Sequence, residues 1–316
     1  MLTNILFILI GFVLLVKGGD YLVEGSVSIA RKAKLSSMVI GMTVIGFGTS
    51  APEMLVSLNA ALADSPGIAL GNVVGSNIAN IALILGVTGL LYTCVTDSHT
   101  LRVDLPFMVF ACVALFVVGM TGEIGRLAGI VGVLLLIFFL IWQIRSSRRM
   151  GDADVPQAEN TPLHSLPVSA IMVVLSIAAM IFGANILVEG AKNVAASLGV
   201  SERVIGLTVV AVGTSLPELF ASVMSAKRGE TDLAIGNIIG SVSFNVLFVV
   251  GVSAAISPIT EGTTAFFYDY LLMMGLAFLL WLFLFTRRTL ERWEGAALLL
   301  LYVGYIIHLV YTGSAV

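Results

Sequence analysis

GMTVIGFGTSAPE, residues 41–53, interrupts a hydrophobic run with glycines, Thr49, Ser50, Pro52 and the full carboxylate of Glu53. A charge at mid-bilayer costs about 2.5–3.5 kcal/mol or more, so a spanning helix does not carry one for structural reasons. The stretch recurs as GLTVVAVGTSLPE, residues 206–218, with Glu218 in the place of Glu53. Two matched copies point to one site assembled from two halves.

Composition sets the solvent. Of 316 residues, 58% are hydrophobic and only 11% charged, with a mean hydropathy of +1.05. Soluble domains carry about 25% charged residues, so most of this surface is expected to face lipid. The net charge of −3 says little; the placement of the positive charges says more. Cys94 and Cys112 offer neither a disulfide framework nor a metal-ligand spacing, and read as small apolar packing residues. Residues 3–16 follow no basic n-region and precede no small-residue cleavage site, so they read as retained membrane helix.

A bilayer crossing takes about 20 apolar residues. Ten stretches qualify, near 3–30, 36–62, 67–92, 104–120, 126–145, 166–196, 201–226, 232–256, 268–286 and 293–312. Between the fifth and sixth lies a polar, proline-containing linker, residues 146–165. Gly41 and Gly206 stand 165 residues apart, and so do Gly71 and Gly236, Glu24 and Glu189, and Asp104 and Asp269. That ungapped register marks an internal repeat. Five spans per half make the second copy enter from the opposite side. In the ten-span arrangement, twelve of the sixteen Lys and Arg fall on one side, among them Arg31, Lys32, Lys34, Lys227 and Arg228. The positive-inside rule then puts the linker in the cytoplasm and both termini outside. The expected architecture is an all-α integral membrane protein of ten transmembrane helices in two inverted five-helix repeats, residues 1–145 and 166–316. Many secondary transporters build a midplane site this way.

Gly46, Thr49, Ser50 and Glu53 share one helix face, as do Ala211, Thr214, Ser215 and Glu218. Pro52 and Pro217 lack an N–H and crowd the carbonyl four residues back, freeing those of Gly48 and Gly213. Backbone so exposed is tolerable in a membrane only where it is buried or lines a polar cavity. GNVVGSNIANIALILG, residues 71–86, places Ser76 and Asn80 on one face, and GNIIGSVSFNVLFVVG, residues 236–251, repeats this with Ser241 and Asn245. The resulting all-oxygen surface suits a hard cation such as Ca²⁺. No His or Cys lies in either motif, which argues against zinc, copper or iron.

The paired GTSxPE and GSxxxN blocks resemble the two alpha-repeats of the cation/calcium exchanger superfamily, sodium/calcium exchangers in particular. The likeness covers nearly the whole chain. It implies the ten-helix inverted repeat, with Glu53 and Glu218 as central Ca²⁺ ligands. It further implies ion-binding roles for Thr49, Ser50, Ser76, Asn80, Thr214, Ser215, Ser241 and Asn245, and for the carbonyls of Gly46 and Ala211. The implied activity is secondary antiport of Na⁺ against Ca²⁺ by alternating access in a cell membrane, without cofactor, the first and sixth helices sliding across the other eight. Two departures stand out: Asn77 becomes Val242 in the second half, and Asn245 stands where several relatives carry Asp. The second weakens a potassium-dependent reading. Proton/calcium antiport through the same glutamates is the runner-up.

Three other expectations concern single residues. Glu24 and Glu189 either guard an ion path or sit near the membrane face paired with a cation. Asp104 and Asp269 cap the fourth and ninth helices. Ser50 or Ser215 as a hydrolytic nucleophile is disfavoured, since no motif histidine stands by as base; the chain is not expected to be an enzyme. A passive channel lined by carboxylates would not need two broken helices.

Overall fold

A computed structural model of the chain describes residues 2–63, 65–150, 164–198, 211–260 and 263–312. Helices dominate. In order they are α1 (Leu2–Ala33), α2 (Ser37–Thr49), α3 (Ala51–Leu62), α4 (Gly67–Leu91), α5 (Thr100–Gly119), α6 (Arg126–Met150) and α7 (Leu166–Ser197). A short turn at Ala211–Gly213 then leads to α8 (Leu216–Lys227), α9 (Thr231–Ile256), α10 (Phe267–Arg287) and α11 (Arg292–Thr312). Among the described residues seven helices are long and apolar enough to cross a membrane, or eight if the bent α2–α3 pair is one span. Ten spans are expected from hydropathy. The opening of the seventh, with Gly206 and Arg203, and most of the linker lie outside the described residues.

Burial divides the helices into a core and a lipid-facing shell. The apolar windows of α4 and α9 are 78% and 83% buried, against 22% and 28% for α1 and α7. The fully buried Leu70, Val73, Val74 and Ile78 on α4 join Ala234, Ile235, Ile238 and Ile239 on α9 in one core. Because α4 and α9 are covered nearly all round, they carry no charged residue within the membrane and their polar side chains are confined to serines, threonines and asparagines.

Pro52 breaks the second expected span as the sequence requires. Ser50 leaves the helical region at φ −82° and ψ 8°, α3 restarts with proline in its first turn, and the two pieces bend by 48°. Ser215, at φ −93° and ψ 8°, and Pro217 repeat the arrangement ahead of α8. The first half's broken helix lies against the second half's core helix. A Cβ on Gly41 would stand 2.7 Å from the Leu233 carbonyl, and one on Gly240 2.4 Å from that of Met42, so the backbones touch.

Two small cross-links tie the halves at the loops. β1 (Cys94–Val95) pairs antiparallel with β2 (Thr289–Leu290), and Ile124 bridges Ile259. Cys94 corresponds to Ile259 at the 165-residue offset, and Ile124 to Leu290 at the offset of 166 that one inserted residue imposes by Arg126 and Arg292, so each bridge is the counterpart of the other.

Asp104 is not a cap. It lies inside α5, at the end of a π-helical turn, with no side-chain capping bond. Asp97 caps instead, its carboxylate accepting from the Thr100 N–H at 2.7 Å, which starts the helix earlier than hydropathy suggests. The buried Asp104 carboxylate accepts from the Gln143 amide and stands 3.5 Å from the His99 ring. Asp269 is in the first turn of α10 but accepts from the Tyr305 hydroxyl at 2.8 Å.

Glu24 and Glu189, equivalent in sequence, are held differently. Arg228 at the end of α8 lies 3.6 Å from Glu24 and 3.1 Å from Asp20, both on α1, and the His164 ring is 2.7 Å from Glu24. Among the described residues Glu189 pairs within its own helix, with Lys192 at 3.7 Å and the Asn193 amide at 3.1 Å. Each of the two thus stands beside a cationic side chain. Glu230, just outside α9, accepts from the Ser37 hydroxyl at 2.9 Å. Burial pushes its carboxyl above the usual range, opposed by that hydroxyl and by the Arg31 charge.

Candidate functional site

The two helix breaks put Glu53 in the first turn of α3 and Glu218 in the first turn of α8, where the helix dipole favours a carboxylate. Both side chains are fully buried. The hydroxyls of the break residues cross between the halves: Ser50 Oγ donates to Glu218 Oε1 at 3.0 Å, and Ser215 Oγ donates to Glu53 Oε1 at 3.4 Å. Ser76 also faces Glu53, and Thr49 faces Glu218; the Glu218 charge reaches Glu53. The chain thus brings two like charges together out of water, an arrangement that a shared cation relieves.

The other expected residues lie on the same broken and core helices. Thr49 Oγ1 donates to the Ile45 carbonyl at 3.1 Å and lies 3.3 Å from Asn237 Oδ1. Ser241 Oγ donates to the Gly46 carbonyl at 3.3 Å, joining α9 to α2. Asn80 lies in a π-helical turn of α4, Ala79–Ile84, and Asn245 opens the matching turn of α9, Asn245–Val249. Such turns inside α-helices cluster at functional sites. Thr214 is only half-buried. Ala211 opens the short turn ahead of Ser215.

Buried polar atoms rarely go without a hydrogen bond, a few per 100 residues at most. Here such atoms include Glu53 Oε2, Glu218 Oε2, both amide atoms of Asn80, and Asn245 Oδ1. These five belong to motif residues and four of them are oxygens; the hydroxyls of Ser26, Thr88 and Tyr270, outside the motifs, share the condition. Among the described residues no group of three or more His, Cys, Asp or Glu could hold a metal. The chemistry on offer is two acids with neutral oxygens, which suits a cargo cation of the hard class. A cavity beside α2, lined by Met42, Phe47, Leu140 and Phe244, is apolar and separate from the carboxylates.

Four residues that the motif reading passes over also support the site. Asn72 Nδ2 donates to the backbone carbonyl of Glu53 at 3.1 Å and to Ser57 Oγ at 2.9 Å. Asn237 Nδ2 does the same for Glu218 at 3.3 Å and Ser222 Oγ at 2.9 Å. Each Asn clamps a glutamate-bearing helix to its neighbouring core helix. All four obey the 165-residue register, which is the signal that marks them. Asn72→Ala and Asn237→Ala are each expected to lower stability by about 1–3 kcal/mol, since they strip donors from buried acceptors. Thermal melting of the purified protein checks this, and the loss at Asn237, which is fully buried and also meets Thr49, should be the larger.

Fold and site together define a multi-pass helical membrane protein with paired, buried carboxylates at two broken helices, as in carriers of cations. The chain belongs to the sodium/calcium exchanger protein family, whose description fits residues 3–145 and 168–311. It is 35% identical to the sodium/calcium exchanger MaX1 of Methanosarcina acetivorans, over 98% of this chain and 99% of that one. It is 33% identical to the inner membrane protein YrbG of Escherichia coli, over 95% and 94%. A solved structure of the sodium-calcium exchanger NCX_Mj, soaked with 10 mM Na⁺ and no Ca²⁺, superposes with a TM-score of 0.83 at 31% identity, covering 96% of this chain and 98% of that one. Family and fold make this protein a cation/Ca²⁺ antiporter of the membrane, in a family of transporters rather than enzymes.

Proposed function

We propose that the chain exchanges Na⁺ for Ca²⁺ by alternating access, with both ions taking turns at overlapping oxygens between Glu53 and Glu218. The observation that carries this is the crossed pair of bonds, Ser50 to Glu218 and Ser215 to Glu53. It ties one half's hydroxyl to the other half's acid, so a cation between the acids engages both halves at once. Thr49, Ser76, Asn80, Thr214, Ser241 and Asn245, with the carbonyls of Gly46 and Ala211, complete the ligand set. Unpaired carboxylates are costly in a closed, dry state, so the empty site resists switching and the loaded site permits it. That coupling turns leak into exchange.

The same reading includes ten helices in two inverted repeats, a cytoplasmic linker, extracytoplasmic termini and residence in the cell membrane. The matched loop bridges and the one-sided Lys and Arg distribution support it. Purified protein in proteoliposomes is expected to take up ⁴⁵Ca²⁺ when a Na⁺ gradient is imposed, and not when a pH gradient replaces it. Uptake driven by the pH gradient alone would transfer the assignment to proton/calcium antiport. Conductance without counter-transport would make the protein a channel.

A further inference from the structure

Asn77 breaks the internal repeat. Its counterpart is Val242, although its neighbours Ser76 and Asn80 are matched by Ser241 and Asn245. Asn77 is fully buried on the core helix α4, where a polar side chain is costly without partners. It has two. Asn245 Nδ2 donates to Asn77 Oδ1 at 3.1 Å, and Asn77 Nδ2 points to Met273 Sδ at 3.7 Å.

The order of these contacts decides which way each amide turns. A thioether sulfur accepts weakly and donates nothing, so Asn77 presents its NH₂ to Met273. Its oxygen then faces Asn245, which answers with its own NH₂. Only the oxygen end of an amide can ligate a cation. Asn245 Oδ1 is left buried and without a donor, one helical turn from Ser241, whose hydroxyl reaches the Gly46 carbonyl. Asn80, the repeat counterpart of Asn245, has neither amide atom engaged. Two asparagines equal in sequence are therefore unequal in constraint.

We infer that Asn77 is a positioning residue, which takes the NH₂ end of Asn245 and so fixes a carbonyl oxygen, and not an N–H, toward the transported cation. This rests on the exchanger reading above. It gives position 245 a neutral ligand of fixed orientation, where a freely turning amide would spend part of its time presenting a repulsive donor.

The test is a double-mutant cycle on the full chain in proteoliposomes, with Na⁺-gradient-driven ⁴⁵Ca²⁺ uptake. Asn77→Val, the residue of the mirror position, is expected to raise the half-saturating concentration of Ca²⁺ or Na⁺ about tenfold, with a much smaller change in maximal rate. In an Asn245→Val background the same substitution is expected to add nothing, because Asn77 acts only through Asn245. Half-saturation values that do not move, or that shift equally in both backgrounds, overturn the inference. If Asn77→Val does not fold, Asn77→Asp, which keeps an acceptor for the Asn245 amide, carries the test. Half-saturation within about threefold of the unaltered protein then supports it, and a loss of about tenfold overturns it. The cycle is read in parallel from the Ca²⁺-dependent rise in melting temperature, which needs no transport. An unaltered protein with no Na⁺-driven uptake therefore removes the exchanger reading, while the melting cycle still decides the role of Asn77.

Discussion

Glu53→Gln and Glu218→Gln, each alone, are expected to abolish exchange while leaving a folded protein. The amide keeps the shape of the carboxylate and an oxygen able to accept from Ser215 or Ser50, whose bonds are 3.4 Å and 3.0 Å long. What it removes is charge. Taking one partner from a buried charged set costs about 3–5 kcal/mol, which weakens cation binding by at least about a hundredfold. Uptake of ⁴⁵Ca²⁺ should fall to the level of empty vesicles. The second readout is stability. A ligand at a hundred times its Kd stabilises the folded state by about 2.7 kcal/mol, so Ca²⁺ should raise the melting temperature of the unaltered protein and not that of either variant. Without Ca²⁺ the variants should melt no lower than the parent, because one of two like charges in a dry site is gone. A Ca²⁺-dependent melting shift that survives either substitution would separate that glutamate from the ion.

The break itself is legible in the sequence because its cause is local. Pro52 and Pro217 cannot donate, and the bend follows at Ser50 and Ser215. What the break does is not legible. Helical spacing groups Ser50 with Glu53, whereas in the folded chain Ser50 serves Glu218 and Ser215 serves Glu53. Periodicity describes a face but is silent about what that face meets. The same limit separates Glu24 from Glu189. Their register is perfect, yet Arg228, which engages Glu24, has Ala63 as its counterpart, so among the described residues one copy finds a partner on another helix and the other pairs within its own. Asp104 shows a different limit. The acid seven residues upstream, Asp97, takes the capping position, leaving Asp104 to be held in the interior by the distant Gln143 and the nearby His99. Asn72 and Asn237 could be read from the repeat alone, but their use as clamps on the glutamate carbonyls depends on how two helices pack.

The contact of α1 with α7 yields the other large expected effect. Gly11, Gly18 and Gly25 on α1 recur every seven residues, and Ser169, Ser176, Gly183 and Gly190 on α7 do likewise. Between membrane helices there is little hydrophobic drive, so close van der Waals approach holds the pair. A Cβ at Gly11 would stand 2.5 Å from the Gly183 carbonyl oxygen, and one at Gly183 3.0 Å from that of Gly11. These are backbone atoms, which cannot step aside singly. Gly18 differs, since its nearest obstacle is Met180 Cγ at 2.4 Å, a flexible side chain. Gly11→Leu is therefore expected to force the helices apart, at about 1–3 kcal/mol or more, while Gly18→Ala costs less because Met180 can turn. Gly304→Ala, on α11 with nothing within 4 Å, is the control and should melt like the parent. Because α1 and α7 must move together if they slide across the bundle, Gly11→Leu should also depress ⁴⁵Ca²⁺ uptake more than Gly18→Ala does. Should Gly11→Leu melt and transport as the control does, the two backbones would have to part at no cost, and the seam would not be what holds this pair.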